Sequence, residues 1–240
     1  MPYCSQCGSE VAEGHRYCQR CGAPLDEAER AGTRTTIDLG VLSSRSKMAI
    51  GLLVGSAVLA LAAAGAAIAE ISVIDGAGDL EGADNRRIVV VALQGMVGLG
   101  AVIAWLMWQH RTQSNVRDLG IEGLRFTPGW AVGWWFIPIA NLWQPSRTVS
   151  ELWRASTHGE EWTRVQAPKV GWWWVSFLAS RALVAFTPRD LEDVDALRRG
   201  LWLSVGSDGT SIVAALLAIS VVVDVWRGQR AMVERQGVAP

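Results

Sequence analysis

The string MAIGLLVGSAVLALAAAGAAIA, Met48 to Ala69, runs for 22 residues without a charge. As a helix rising about 1.5 Å per residue it is long enough to cross the roughly 30 Å hydrocarbon core of a bilayer. A helix apolar on every side has no stable place at the surface of a water-soluble domain. This one stretch therefore moves the expected solvent from water to lipid. It begins too far along the chain to be a cleaved signal peptide. Ile88 to Trp108 repeats the pattern, again uncharged. Val170 to Thr187 and Ser211 to Trp226 are shorter and each carries one charge, Arg181 and Asp224. Together they give an expected all-α membrane protein of about four transmembrane helices, with spans at 48–69, 88–108, 170–187 and 211–226.

Composition agrees. Half of the 240 residues are apolar and 19% are charged, below the roughly 25% of an ordinary soluble domain. That hydrophobicity excludes a disordered chain. With 22 basic against 23 acidic residues, there is no positive surplus to release counterions from a nucleic acid. Tryptophan occurs 13 times and tyrosine twice. The indole is apolar with one polar N–H, a pairing that suits membrane boundaries.

Charge also orients the chain. With four spans and an internal amino terminus, the internal segments hold 16 Lys and Arg and the external loops hold 5. The positive-inside rule favours that arrangement, with the amino terminus in the cytoplasm.

All four cysteines lie in the first 21 residues, as Cys4-Ser-Gln-Cys7-Gly8 and Cys18-Gln-Arg-Cys21-Gly22. Two Cys-x-x-Cys-Gly knuckles bring four thiolates to the corners of a tetrahedron around Zn²⁺. The glycine after each pair accepts the positive φ that such a turn requires. Four sulfur ligands leave no open position, so the zinc is expected to be structural rather than catalytic. Two disulfides would need an oxidising compartment, which the charge orientation denies to this segment. His15 is surplus to a four-Cys site, and Pro24 ends a small β zinc ribbon over 1–25. Arg16 and Arg20 are offset by Glu10 and Glu13, so the ribbon is expected to dock a cytoplasmic protein, not nucleic acid. A polar linker over 26–47 separates it from a membrane domain over 48–235.

The stretch 126–146 is also uncharged and long enough for a fifth span. Pro138 removes a helical hydrogen bond in its middle, and Asn141 and Pro145 interrupt its second half. The preferred reading is a broken segment, 126–157, that dips into the membrane from the cytoplasmic face, its irregular backbone buried in protein or lining a wet cavity. Pro145 then opens a helix with Val149, Leu152, Trp153 and Ser156 at helical spacing and Arg147, Glu151 and Arg154 elsewhere, as in a helix lying in the interface. Residues 189–203 show a similar pattern outside. Trp134, Trp135, Pro138, Asn141, Pro145 and Arg181 are the candidate residues of a membrane cleft; anchoring at the interface with a structural kink is the competing reading. Arg181 either snorkels to the outer boundary or pairs with Glu70. Gly51 and Gly55, and Gly129 and Gly133, are small-xxx-small pairs that let helices approach. His110 and His158 lack a metal or nucleophile partner.

From Leu119-Gly120 through the run PGWAVGWWFIPIANLWQP (Pro128 to Pro145) to Glu151-Leu-Trp-Arg-Ala-Ser156, the sequence resembles the signature of domain-of-unknown-function family 4328 (DUF4328). The resemblance covers roughly 48–235 and implies a bacterial multi-span protein that often carries an amino-terminal zinc ribbon. It supplies no catalytic residue. No phosphate loop, Ser–His–Asp order, His-Glu-x-x-His or paired-carboxylate motif is evident. The expected role is a non-enzymatic scaffold or sensor, with a small-molecule, ion or lipid pathway built on 126–146 as the alternative.

Overall fold

A computed structural model describes residues 4, 7–10, 17–22, 39–77, 80–187 and 193–235. It divides into two compact units, 1–38 and 39–240. His15, Pro24 and residues 26–38 of the expected linker lie outside the described residues, as do 188–192.

The second unit is helical: α1 (Leu39–Ser72), α2 (Leu80–Asp118), α3 (Pro128–Gly133), α4 (Gln144–His158), α5 (Pro168–Ala185) and α6 (Val194–Arg235). Proline sits in the first turn of α3, α4 and α5, where its missing N–H costs no helical bond. Among the described residues, three helices, Leu39–Gly76, Asn85–Asp118 and Val194–Arg235, are long and apolar enough to cross a membrane. Val58, Leu61, Met96, Leu99 and Leu216 on them are exposed. Apolar faces of that extent are stable against lipid and not against water.

Hydrogen bonds and ion pairs fix the helix directions. Arg45 Nη1 of α1 donates to the Met107 carbonyl of α2 at 3.1 Å, and Glu70 of α1 pairs with Arg87 of α2 at 3.6 Å. The two helices are therefore antiparallel. Gln94 Nε2 donates to Asp208 Oδ1 at 2.8 Å and Asn115 Nδ2 to Gln229 Oε1 at 3.2 Å, so α2 and α6 run the same way. The chain returns between them in α5. Lys169 of that helix meets Asp224 at 2.6 Å, and Ser207 donates to the Ser180 carbonyl, which makes α5 antiparallel to α6.

Several expectations need correction. Residues 39–47, read as linker, are the first turns of α1. Residues 109–118, beyond the expected span 88–108, continue α2, and Gln109, Thr112, Gln113 and Asn115 among them are fully buried. Of the outer helix expected over 189–203, the described residues 194–203 are not separate from 211–226; both belong to the single 42-residue helix α6. Gly200, Gly206, Asp208 and Gly209 lower the hydropathy between them, but no proline stops the backbone ladder. Residues 126–143 contain no helix longer than the six residues of α3, followed by 3₁₀ turns at Trp134–Phe136 and Ala140–Leu142.

Glu151, read as lying off the packed face of α4, is 2% exposed. Its Oε2 accepts from Arg125 N–H at 3.0 Å and its Oε1 from Phe126 N–H at 3.1 Å. A carboxylate with two backbone donors is stable out of water, and the donors depend on it. Glu151→Ala is expected to destabilise the bundle by about 2–4 kcal/mol, from two orphaned amides, and Glu151→Gln by roughly half of that because one acceptor oxygen remains. The apparent melting temperature of the detergent-solubilised variants measures the difference, and equal melting of wild type and Glu151→Ala would refute the assignment.

Candidate functional site

The ribbon carries the first site. Cys4 Sγ lies 3.7 Å from Cys21 Sγ, and Cys7 Sγ lies 3.7 Å from Cys18 Sγ. All four sulfurs fall within 4.8 Å of one another, and none is in a disulfide. Four sulfurs at about 2.3 Å from a tetrahedral zinc stand about 3.8 Å apart, so the donor set fits the ion. The two knuckles repeat one turn: Gly8 N–H bonds the Cys4 carbonyl and Gly22 N–H the Cys18 carbonyl, each at 2.8 Å. Their glycines have φ of 66° and 71°, the left-handed region foreseen from the spacing.

Ser9 tunes the sulfurs. Its hydroxyl is 2.9 Å from Cys7 Sγ and 3.3 Å from Cys18 Sγ. That contact, helped by the backbone N–H groups of Cys21 and Arg20, brings the Cys18 thiol down to about 6, and Ser9 also lowers that of Cys7. Thiolates rather than thiols ligate metal, so the loop prepares its own ligands. Zinc held here supplies structure, and with every position taken by sulfur it offers no seat to a substrate.

The second site lies within the bundle. A cavity of about 700 Å³ runs between α1, α2, α5 and α6. At one end it is lined by Arg87, Gln94, Arg181, Thr187, Ser204 and Asp208 and at the other by Leu53, Leu106, Trp135 and Trp173, with Phe177 between them. Trp105 and Trp173, with ring centres 5.1 Å apart, join α2 to α5 near the apolar end. Trp135 closes in from the broken segment, its Nε1–H donating to Gln109 Oε1 at 2.9 Å and its ring meeting Phe177 edge-on.

Of the residues expected in a membrane cleft, Trp135 and Arg181 line this cavity and the others do not. Trp134 stacks near Trp130, with centres 4.9 Å apart. Pro138 is exposed in the turn between the two 3₁₀ segments, Asn141 is half-buried in the second, and Pro145 is buried in the first turn of α4. Arg181 does not pair with Glu70, whose ion-pair partner is Arg87; its guanidinium lies 5.7 Å from the centre of the Phe177 ring. Asp224 accepts from both Lys169 and Trp153 Nε1. His110 is exposed, and His158 Nδ1 lies 2.7 Å from Thr157 Oγ1. Asp208 and Gln94 were not singled out from the sequence, since neither sits in a motif; a carboxylate inside an otherwise membrane-compatible helix was the available signal.

Four sulfurs gathered in a leading knob, and a helical unit whose long members suit a bilayer, define a multi-pass membrane protein with a zinc ribbon. The profile of the zinc-ribbon domain matches residues 3–25. That of the domain of unknown function DUF4328 matches residues 72–227, more than half of the chain, which therefore belongs to that family. No curated protein and no solved structure matches it.

Proposed function

We propose that this chain is a bacterial inner-membrane scaffold that crosses the bilayer four times, with its amino terminus in the cytoplasm and its zinc ribbon docking a cytoplasmic protein. The observation that carries the reading is the shared direction of α2 and α6, registered at Gln94–Asp208 and Asn115–Gln229. Two parallel crossings need a return between them. The 18 residues of α5, about 27 Å long as a helix, run antiparallel to α6 from the level of Asp224 to that of Ser207. Three tryptophans and two charges keep its hydropathy below that of its neighbours, but its level in the bundle is that of a spanning helix.

The broken segment supports the same count. Trp135 and Trp174 tie it to the Lys169 end of α5, Trp174 Nε1–H donating to the Leu142 carbonyl at 2.8 Å. Its outward residues, Trp130, Phe136, Ile139 and Leu142, are apolar and exposed, which suits a wedge entering the membrane from that side without crossing it. A cytoplasmic location of that side is supported by the 16 basic residues it assigns inside against 5 outside. With no catalytic set assembled among the described residues, a preformed sulfur-bound knob is the feature best suited to holding a partner.

Single cysteines introduced at Gly78, Gly123, His158, Asp195 and Gln236, with the native thiols protected, test the topology. Impermeant maleimide applied to intact cells is expected to label positions 78 and 195 and to spare 123, 158 and 236. Labelling at 158 or 236 would overturn the four-crossing reading. For docking, a pull-down with the Cys18→Ser, Cys21→Ser double variant is expected to lose partners that the wild type retains, and an identical partner set would overturn that part.

A further inference from the structure

We infer that the cavity between α2 and α5 is a binding site for a lipid with one acyl chain inside and an anionic head group, carboxylate or phosphate, held at Arg181. The inference rests on the membrane reading above.

Shape comes first. Along α2 the lining runs from Arg87 to Leu106, about 28 Å of helix. That length accommodates an extended hydrocarbon chain. The volume lies within the range of ligand pockets, roughly 300–1,000 Å³.

Polarity is graded along the same axis. The Trp105, Trp135 and Trp173 end presents ring faces and no charge, while both arginines lie toward the other, with Phe177 beside Arg181. An amphiphile fits this gradient in one direction only.

Charge selects the head group. Most polar groups on the cavity are already engaged. Ser56, Ser180, Ser204, Ser207 and Thr187 each donate to a backbone carbonyl. Asp208 accepts from Gln94, and Arg87 is paired with Glu70. Arg181 is different. Among the described residues no carboxylate lies within ion-pair distance of it, and its described partner is the Phe177 ring at 5.7 Å. A guanidinium at membrane depth is costly alone, and it forms paired hydrogen bonds with a carboxylate or phosphate.

The test uses the full chain in phosphatidylcholine nanodiscs with two probes, palmitic acid bearing a chain diazirine and phosphatidylglycerol bearing the same chain. Photolysis followed by peptide mapping is expected to place the label on the cavity walls, between Gly98 and Trp105 and between Trp173 and Val184. Labelling by palmitate alone identifies a free fatty acid, and labelling by phosphatidylglycerol a membrane phospholipid; either supports the site. Arg181→Gln is expected to lower cavity labelling roughly tenfold, the loss of one charge-assisted contact.

Gly98→Leu is the second variant. A Cβ at Gly98, which lines the cavity, meets nothing within 4 Å, so the leucine enters open space and occludes the chain without forcing the helices apart. Label spread evenly over Val54, Val58 and Leu61 on the outside of α1, unchanged by both variants, would overturn the inference. Cysteine accessibility on the same preparations separates the two levels: failed labelling in a four-crossing protein removes the lipid site alone, and a different crossing pattern removes the reading beneath it.

Discussion

Exchanging Cys18 for Ser is expected to bring the zinc content of the purified protein from one ion per chain to near zero. The leading segment should unfold while the thermal transition of the helical bundle stays where it was. The magnitude follows from the size of the module. A ribbon of some twenty residues buries too little apolar surface to fold by itself. Its folding energy is the metal's binding energy, apparent values of about 10–16 kcal/mol for sulfur-rich sites at neutral pH. Cys18 is 3% exposed and stands 3.7 Å from Cys7, so removing its sulfur opens one corner of a cluster whose members otherwise lie within 4.8 Å. A serine hydroxyl at that corner is a far poorer ligand for zinc than a thiolate. The bundle, residues 39–240, is a compact unit of its own, with its own hydrophobic core. Metal analysis by mass spectrometry and limited proteolysis of the leading segment read the first effect, and a melt followed by tryptophan fluorescence reads the second, since all 13 tryptophans lie beyond residue 100. Undiminished zinc in the serine variant would remove the four-sulfur site.

What the sequence made legible was whatever a local rule governs. The knuckle spacing specified the sulfur cluster and the positive φ of Gly8 and Gly22, because a metal site of this kind is built from residues a few positions apart. Uncharged runs located the middles of α1 and α2 for the same reason. The ends of the helices were not legible. Gln109, Gln113 and Asn115 lie beyond the expected span 88–108, yet each is buried with a partner elsewhere in the chain: Thr148, Phe126 and Gln229. Glu151 was assigned to the wrong face because its donors, the amides of Arg125 and Phe126, belong to backbone and carry no sequence signature. Asp208 was overlooked on the same grounds, its partner Gln94 being 114 residues away. In a chain where lipid covers the apolar faces, polar residues form much of the specific packing, and hydropathy is blind to them.

Gly228 is the extreme case, a position with no motif around it that is expected to be intolerant of a single methyl group. An ideal Cβ placed there falls 2.1 Å from the Ser156 carbonyl oxygen, 2.8 Å from its carbon and 3.3 Å from Thr157 Cα. Each of these atoms is backbone near the end of α4, so no side chain can rotate out of the way. Two effects oppose each other in Gly228→Ala. Alanine gains about 1 kcal/mol of helix propensity over glycine. Overlap with backbone forces α4 and α6 apart and costs about 1–3 kcal/mol for the misfit itself. The separation also breaks contacts made by the next residue: Gln229 Nε2 donates to the Thr112 carbonyl at 3.0 Å and to Ser156 Oγ at 3.1 Å, and Gln229 Oε1 accepts from Asn115. Gln229 is fully buried, so each lost partner leaves a polar group without water, at about 1–3 kcal/mol. The clash and the network together exceed the propensity gain, and the net change is expected to be a loss of about 2–4 kcal/mol. Gly209→Ala on the same helix is the control. Its Cβ meets nothing within 4 Å, so only the propensity term applies and the variant should melt at or slightly above the wild-type temperature. Apparent melting temperatures of the three proteins in one detergent decide the matter: Gly228→Ala falling with Gly209→Ala unchanged supports the close crossing of α4 and α6, and equal behaviour of the two variants would refute it.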